Sequence, residues 1–174
     1  MTAVHASDCV GLWRRTLLVR PDGSRDDGTD VLWLQGLSAF VDSRGFAGRL
    51  RQHGDVFEWC RDVDLDPGPH PDEGVMRWDG AVLVENGVHE NYTERWVREE
   101  TAPAGAMFVS AADGSAGLLV RVGRQFGWAE QTAVVIGVVG DRQWNRLNAK
   151  RCAAELIVNG ESWDITETEG VVEL

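Results

Sequence analysis

The chain has one lysine, Lys150, four histidines and three cysteines among its 174 residues, and each scarcity removes a class of function. No two of His5, His53, His70 and His89 stand at metal-ligand spacing, and no cysteine is placed to complete a tetrahedral set, so no metal is expected. Cys9, Cys60 and Cys152 are odd in number and far apart, which fits free thiols in a reducing compartment. No glycine-rich loop joins a strand to a helix to cradle phosphate. Ser38, Ser43 and Ser110 lack a neighbouring His or Asp in a nucleophile context. No cofactor is expected. A basic patch is also missing, and the net charge is −11, which argues against nucleic acid and against anionic membranes as partners. The longest apolar run, Ala133 to Val139, is broken by Gly137 and falls far short of the ~20 residues of a membrane span. Met1 to Val10 has no basic region followed by an apolar run, so no signal peptide is expected and the location expected is cytoplasmic.

Aromatic and turn residues are plentiful by contrast. Eight tryptophans are spread along the whole chain, as strand residues able to fill a barrel interior. Asp79-Gly80, Asn86-Gly87, Asp113-Gly114 and Asn159-Gly160 each lie between short stretches rich in Val, Leu, Trp and Phe. Such pairs mark antiparallel hairpins, because a type I′ turn needs positive φ at both central residues. Strands are expected over 10–20, 30–35, 39–44, 55–63, 74–78, 81–85, 91–99, 107–111, 116–124 and 133–139, with a loose connection over 45–54 and a Pro-rich loop over 64–72. Asp141 is placed to cap one short helix near 141–154, with Trp144 and Leu147 on its apolar face. The class predicted is all-β: an antiparallel up-and-down barrel of about 8–10 strands, residues 1–174 forming a single domain.

Two resemblances go with this pattern. Gly11-Leu12-Trp13 in the first strand resembles the Gly-x-Trp motif of lipocalins and related calycin barrels. The resemblance implies that Trp13 plugs the closed end, packed against an arginine from a late strand, here Arg121 or Arg124. Thr29 to Leu34, Phe40 to Arg44, Trp59, Asp72-Glu73-Gly74, Val84 to Gly87 and Tyr92 to Trp96 resemble, in order, a fungal family of lipocalin-like proteins of unknown function that binds a casein kinase. That likeness covers residues 29 to 99 and implies a calycin-type barrel without implying any chemistry.

The ligand-contacting residues expected are Trp13, Asp42, Arg44, Trp59, Tyr92, Glu94 and Trp96. Asp42 and Arg44 share one strand face with Phe40, and either line the lumen or form an exposed pair at the strand end. Tyr92, Glu94, Trp96 and Arg98 share one face of the 91–99 strand. If that face points inward, Glu94 is a carboxylate among aromatics and a candidate general acid or base; if outward, it is a solvated cross-strand partner. Glu58 takes that place only if the register is reversed. These residues support a barrel that binds a small, mainly apolar ligand. A cofactor-independent isomerase, cyclase or hydratase using a lumen carboxylate is the alternative, as is a packed barrel that recruits a protein partner.

Overall fold

A computed structural model describes residues 2–174. A 3-10 turn, Ala6–Cys9, precedes β1 (Gly11–Val19), β2 (Arg25–Asp26), β3 (Leu32–Gln35), β4 (Ala39–Asp42) and β5 (Phe46–His53). Then come β6 (Val56–Asp64), β7 (Glu73–Asp79), β8 (Val82–Gly87) and β9 (Thr93–Glu100). In the order β1-β3-β4-β5-β6-β7-β8-β9 these form an antiparallel up-and-down sheet that closes where β9 pairs with β1; the short β2 extends the far end of β1. Eight strands therefore make a closed barrel, as the hairpin pattern predicts.

The rest of the chain lies outside that barrel. β10 (Ala104–Ser110), β11 (Ala116–Val122), β12 (Gln125–Glu130), β13 (Ala133–Val138), β14 (Lys150–Cys152), β15 (Glu155–Val158) and β16 (Glu161–Gly170) form a second sheet, in the order β13-β12-β11-β10-β16-β15-β14. One face of it covers the barrel's outer wall. Leu12, Leu34, Ala39, Val41, Ala47 and Val63 from the barrel share an apolar layer with Phe108, Leu118, Val120 and Val122. Glu169 pins this layer, its carboxylate accepting from Ser38 N at 2.9 Å, Ser38 Oγ at 2.7 Å and Ala39 N at 2.7 Å. Trp128, Trp163, Leu119 and Leu156 pack on the opposite face of the second sheet.

The expected helix starts as predicted, the Asp141 carboxylate accepting from Trp144 N at 2.7 Å, but α1 spans only Arg142–Leu147. Asn148 adopts the left-handed conformation with φ 44° and ends it, and Lys150–Cys152 becomes a strand. The Asx-Gly pairs also divide. Only Asn159-Gly160 has positive φ at both residues, 50° and 83°. Gly80-Ala81 is a two-residue loop between the paired Asp79 and Val82, with positive φ at Gly80, the pattern of a II′ turn. Gly114 closes a longer turn by donating to Ala111 O. Asn86-Gly87 is no turn: it continues β8, and the chain reverses after it.

The expected connection over 45–54 is instead the eight-residue strand β5. Gly48 disguises it and is required there, since a Cβ at this position would lie 1.9 Å from Cys60 O. A bulge opposite this point shifts the β5–β6 register, and Val63 leaves the lumen side for the outer layer. Cys60, in β6, is only partly buried; Cys9 is the buried thiol.

The lumen below its midpoint is a stack of aromatic rings. Trp33 meets Trp13, Trp59 and Trp96, each at 5.7 Å between centroids, and Trp78 approaches Trp13 at 6.1 Å. The 3-10 turn closes this end. Trp13 Nε1 donates to Cys9 O at 2.7 Å, Gln52 Oε1 accepts from Ala6 N at 2.9 Å, and Val4 and Cys9 join the core. The arginine on Trp13 is Arg98, its guanidinium 4.5 Å from the ring centroid and donating to Asp8 O. Arg121 and Arg124, the counterparts expected from late strands, belong to the outer sheet: Arg121 lies over Trp144, and Arg124 donates to Val139 O. The barrel ends at β9, so its last strand supplies the arginine. Replacing Trp13 by Ala is expected to cost about 3–5 kcal/mol, the range for deleting a buried indole. Urea unfolding followed by circular dichroism measures it.

Candidate functional site

Above the indoles the lumen opens into a cavity of about 660 Å³. Its walls follow from strand alternation. Trp13 is followed two residues later by Arg15, Phe40 by Asp42, Trp59 by Arg61, and Leu83 by Glu85; on β9, which runs the other way, Glu94 precedes Trp96. Each such pair lies on one inward face, apolar toward the closed end and charged toward the mouth.

Of the expected ligand contacts, Asp42, Arg44, Trp59, Tyr92, Glu94 and Trp96 all line this cavity. Trp13 lies beneath it, fully buried under Trp33. The β9 face carrying Glu94 points inward, and Asp42 is buried rather than exposed. Glu58 reaches only the rim region, on the strand face opposite Trp59. The walls are more highly charged than a pocket for a mainly apolar ligand would need: four arginines and eight carboxylates line the cavity.

Most of these charges are paired. Glu94 Oε1 accepts from Arg15 Nη1 at 2.8 Å and from Arg44 Nη1 at 3.0 Å. Arg44 also forks onto Asp42, Nε to Oδ1 at 2.9 Å and Nη2 to Oδ2 at 2.8 Å. This bidentate geometry is the strong form of the arginine–carboxylate contact. Arg61 bridges Asp64 at 3.0 Å and Asp72 at 2.6 Å, tethering the end of the Pro-rich loop, and its guanidinium lies 3.6 Å from the Phe46 centroid. At the rim, His70 from that loop stacks on His89 with centroids 5.4 Å apart, and His89 Nε2 lies 2.6 Å from Glu73 Oε2.

Glu85 differs. It is 4% exposed, and among the described residues it has no guanidinium partner. Its two oxygens accept from neutral donors, Oε1 from the Tyr92 hydroxyl at 2.8 Å and Oε2 from Trp96 Nε1 at 3.2 Å. Burial first, then the neighbouring charges of Glu94 and Asp72, push its carboxyl up to about 8, against the lesser opposing pull of Arg44. Burial and Glu85 likewise push the Tyr92 hydroxyl up, so it stays a hydrogen-bond donor. Two paired glycines make the niche. Gly74 and Gly87 face each other across β7 and β8; a Cβ on Gly74 would lie 2.9 Å from Glu85 Cγ, and one on Gly87 would lie 2.3 Å from Tyr92 Cε1.

Glu85, Arg15 and Arg61 were not among the expected residues. Reading Asn86-Gly87 as a turn put Glu85 at a strand end. Leu83 and Glu85 alternate correctly, and that signal finds Glu85 once β8 is extended through the glycine.

No protein-family model matches the chain. No curated protein does. The fold is that of a solved structure, the crystal structure of the uncharacterised protein YLR301w from Saccharomyces cerevisiae. It is 14% identical, the match covers 91% of this chain and 98% of that one, and the TM-score is 0.59. At this identity the likeness shows the fold alone.

The raised Glu85 carboxyl sets a pH dependence. Its ordinary value is 4.5 and its folded value about 8, so between these the folded chain holds a proton that the unfolded chain has lost. The Glu85 contribution to stability therefore falls as pH rises across that window and levels off above it. Glu85→Gln cannot ionise. Its stability advantage over the natural chain is expected to be smallest near the lower end of the window and to grow up to about 8, as denaturant midpoints at several pH values will show.

Proposed function

We propose that this protein is a lipocalin-like carrier that holds one small molecule in the upper half of its barrel, in the cytoplasm. The observation that carries this reading is that the indole stack stops halfway. A barrel built only as a rigid body would fill its lumen with side chains, whereas here about 660 Å³ stays open above Trp33, Trp59 and Trp96. That volume lies within the range of small-molecule pockets. The ligand body rests on these indoles, and its polar end meets the charged tier of Asp42, Arg44, Glu85 and Glu94.

The enzyme alternative has one observation behind it. Glu85, raised to about 8 and in contact with the Tyr92 hydroxyl, is suited to exchange a proton with a ligand near neutral pH. Such a cavity would serve a cofactor-independent isomerase, cyclase or hydratase, with Glu85 in the role first given to Glu94. A protein partner of the kind bound by the resembling fungal family, a casein kinase, would use the outer surface and is compatible with an occupied cavity.

Native mass spectrometry of the chain purified from its own cells is expected to show a bound small molecule that denaturation releases. Trp59→Ala is expected to weaken rebinding about tenfold, the scale of one aromatic contact. A natural chain that carries nothing, and whose tryptophan fluorescence responds to no extract fraction, refutes the carrier reading.

A further inference from the structure

The three buried carboxylates of the cavity are not equivalent. Asp42 and Glu94 have guanidinium partners, whereas Glu85 has only the Tyr92 hydroxyl and the Trp96 indole. Each of the two Glu85 oxygens accepts one hydrogen bond, and a carboxylate offers about four acceptor sites, so roughly two remain open. The lining as a whole is anionic, eight carboxylates against four arginines. Three of those arginines are already held by acids: Arg15 by Glu94, Arg44 by Asp42 and Glu94, and Arg61 by Asp64 and Asp72. The fourth, Arg20, is exposed and lies against Asp26, so none of the four guanidiniums forms an ion pair with Glu85 among the described residues. The same walls already accommodate cations against rings, with the Arg44 guanidinium 5.5 Å from the Trp96 centroid and 5.2 Å from that of Phe46.

We propose that the cavity recognises an organic ammonium, a protonated amine on an apolar body, with the ammonium donating to Glu85 and the body lying on Trp33, Trp59 and Trp96. The assignment rests on the carrier reading above and names its ligand class. An anionic ligand would face a surplus of carboxylates and find every cavity guanidinium other than that of Arg20 in a contact with a buried or half-buried acid. A wholly apolar ligand would give the open sites of Glu85 no hydrogen-bond partner, which is costly for a buried polar group. An ammonium supplies both the charge and the missing donors. The paired Gly74 and Gly87 leave the room that Glu85 and Tyr92 occupy beside the cavity.

The test compares three probes that share one apolar body: 2-phenylethylammonium, 2-phenylethanol and 3-phenylpropionate. Titrations followed by calorimetry and tryptophan fluorescence are expected to rank the ammonium first, the alcohol weaker and the carboxylate weakest. Glu85→Gln is expected to reduce ammonium affinity about tenfold or more, the scale of a charge-assisted hydrogen bond, and so to remove the lead of the ammonium over the alcohol. Circular dichroism and a cooperative urea transition show that the variant is folded. If the alcohol or the carboxylate binds as tightly as the ammonium, or if Glu85→Gln leaves the ranking unchanged, the ammonium assignment is overturned and the carrier reading stands. If none of the three binds at millimolar concentration, both fall.

Discussion

Closure of β9 onto β1 is the constraint from which the rest follows. Trp13 is registered with Arg98 across that seam, and Arg15 with Trp96. Below, Arg98 crosses to lie on the Trp13 ring; above, Arg15 crosses to Glu94. A pair of buried ions is weak evidence for stability by itself, because desolvation offsets most of the attraction. Removing one partner is another matter, since it strands a charge in the lumen. The seam is therefore held by a cation–ring contact at the closed end and by a specific ionic one near the mouth. An open sheet would expose the indoles to water and leave the upper tier as ordinary surface charge, with neither a cavity nor a displaced carboxyl.

Strand alternation then divides the lumen into two chemical tiers without any change of fold. A step of two residues along one inward face moves from ring to ion on β1, β4, β6 and β9, and from Leu83 to Glu85 on β8. The lower tier supplies most of the apolar burial. The upper tier is costly to bury, and the arrangement reduces that cost by pairing guanidiniums with acids. Only Glu85 is left with neutral donors, and burial displaces its carboxyl to about 8. A barrel selected for stability alone would gain by replacing this residue with an apolar one of similar size. Its presence next to two glycines that carve its niche is accounted for by the proposed ligand site.

What could be read from the sequence follows the same physics. On β9 the grouping of Tyr92, Glu94 and Trp96 on one face was legible from their alternation with Thr93 and Arg95, but which face of β9 or of β4 points inward was not, because closure of the barrel decides it. Nor was Arg15 legible, since β1 reads as an almost continuous apolar and basic run, and its register with β9 shifts between Arg15 and Leu17. β5 was missed because Gly48 and the outward Arg49 and Arg51 resemble loop composition; the backbone crowding that demands the glycine is a long-range fact. The second sheet was visible as strands but not as a separate layer. Its apolar faces look the same whether they line a lumen or cover a wall, and only the pairing order tells them apart.

That second layer makes the barrel wall unequal. β3 and β4 are apolar on both faces, buried between the indole stack and the outer sheet. β7 and β9 have water on their outer side, where Val75 and Val97 are 40% and 38% exposed. Local opening costs least where few buried contacts must be broken. The single-layer wall and the loops beside it, tied by the stacked His70 and His89 and by Arg61 on Asp72, are thus the part of the barrel that yields first. Glu85 and Tyr92 stand on that yielding side, whereas Trp33 and Asp42 stand on the braced one. For the ligand proposed above, the cavity would join a fixed surface under the apolar body to a more pliant one at the charge, with exchange with solvent cheapest on the side that carries Glu85.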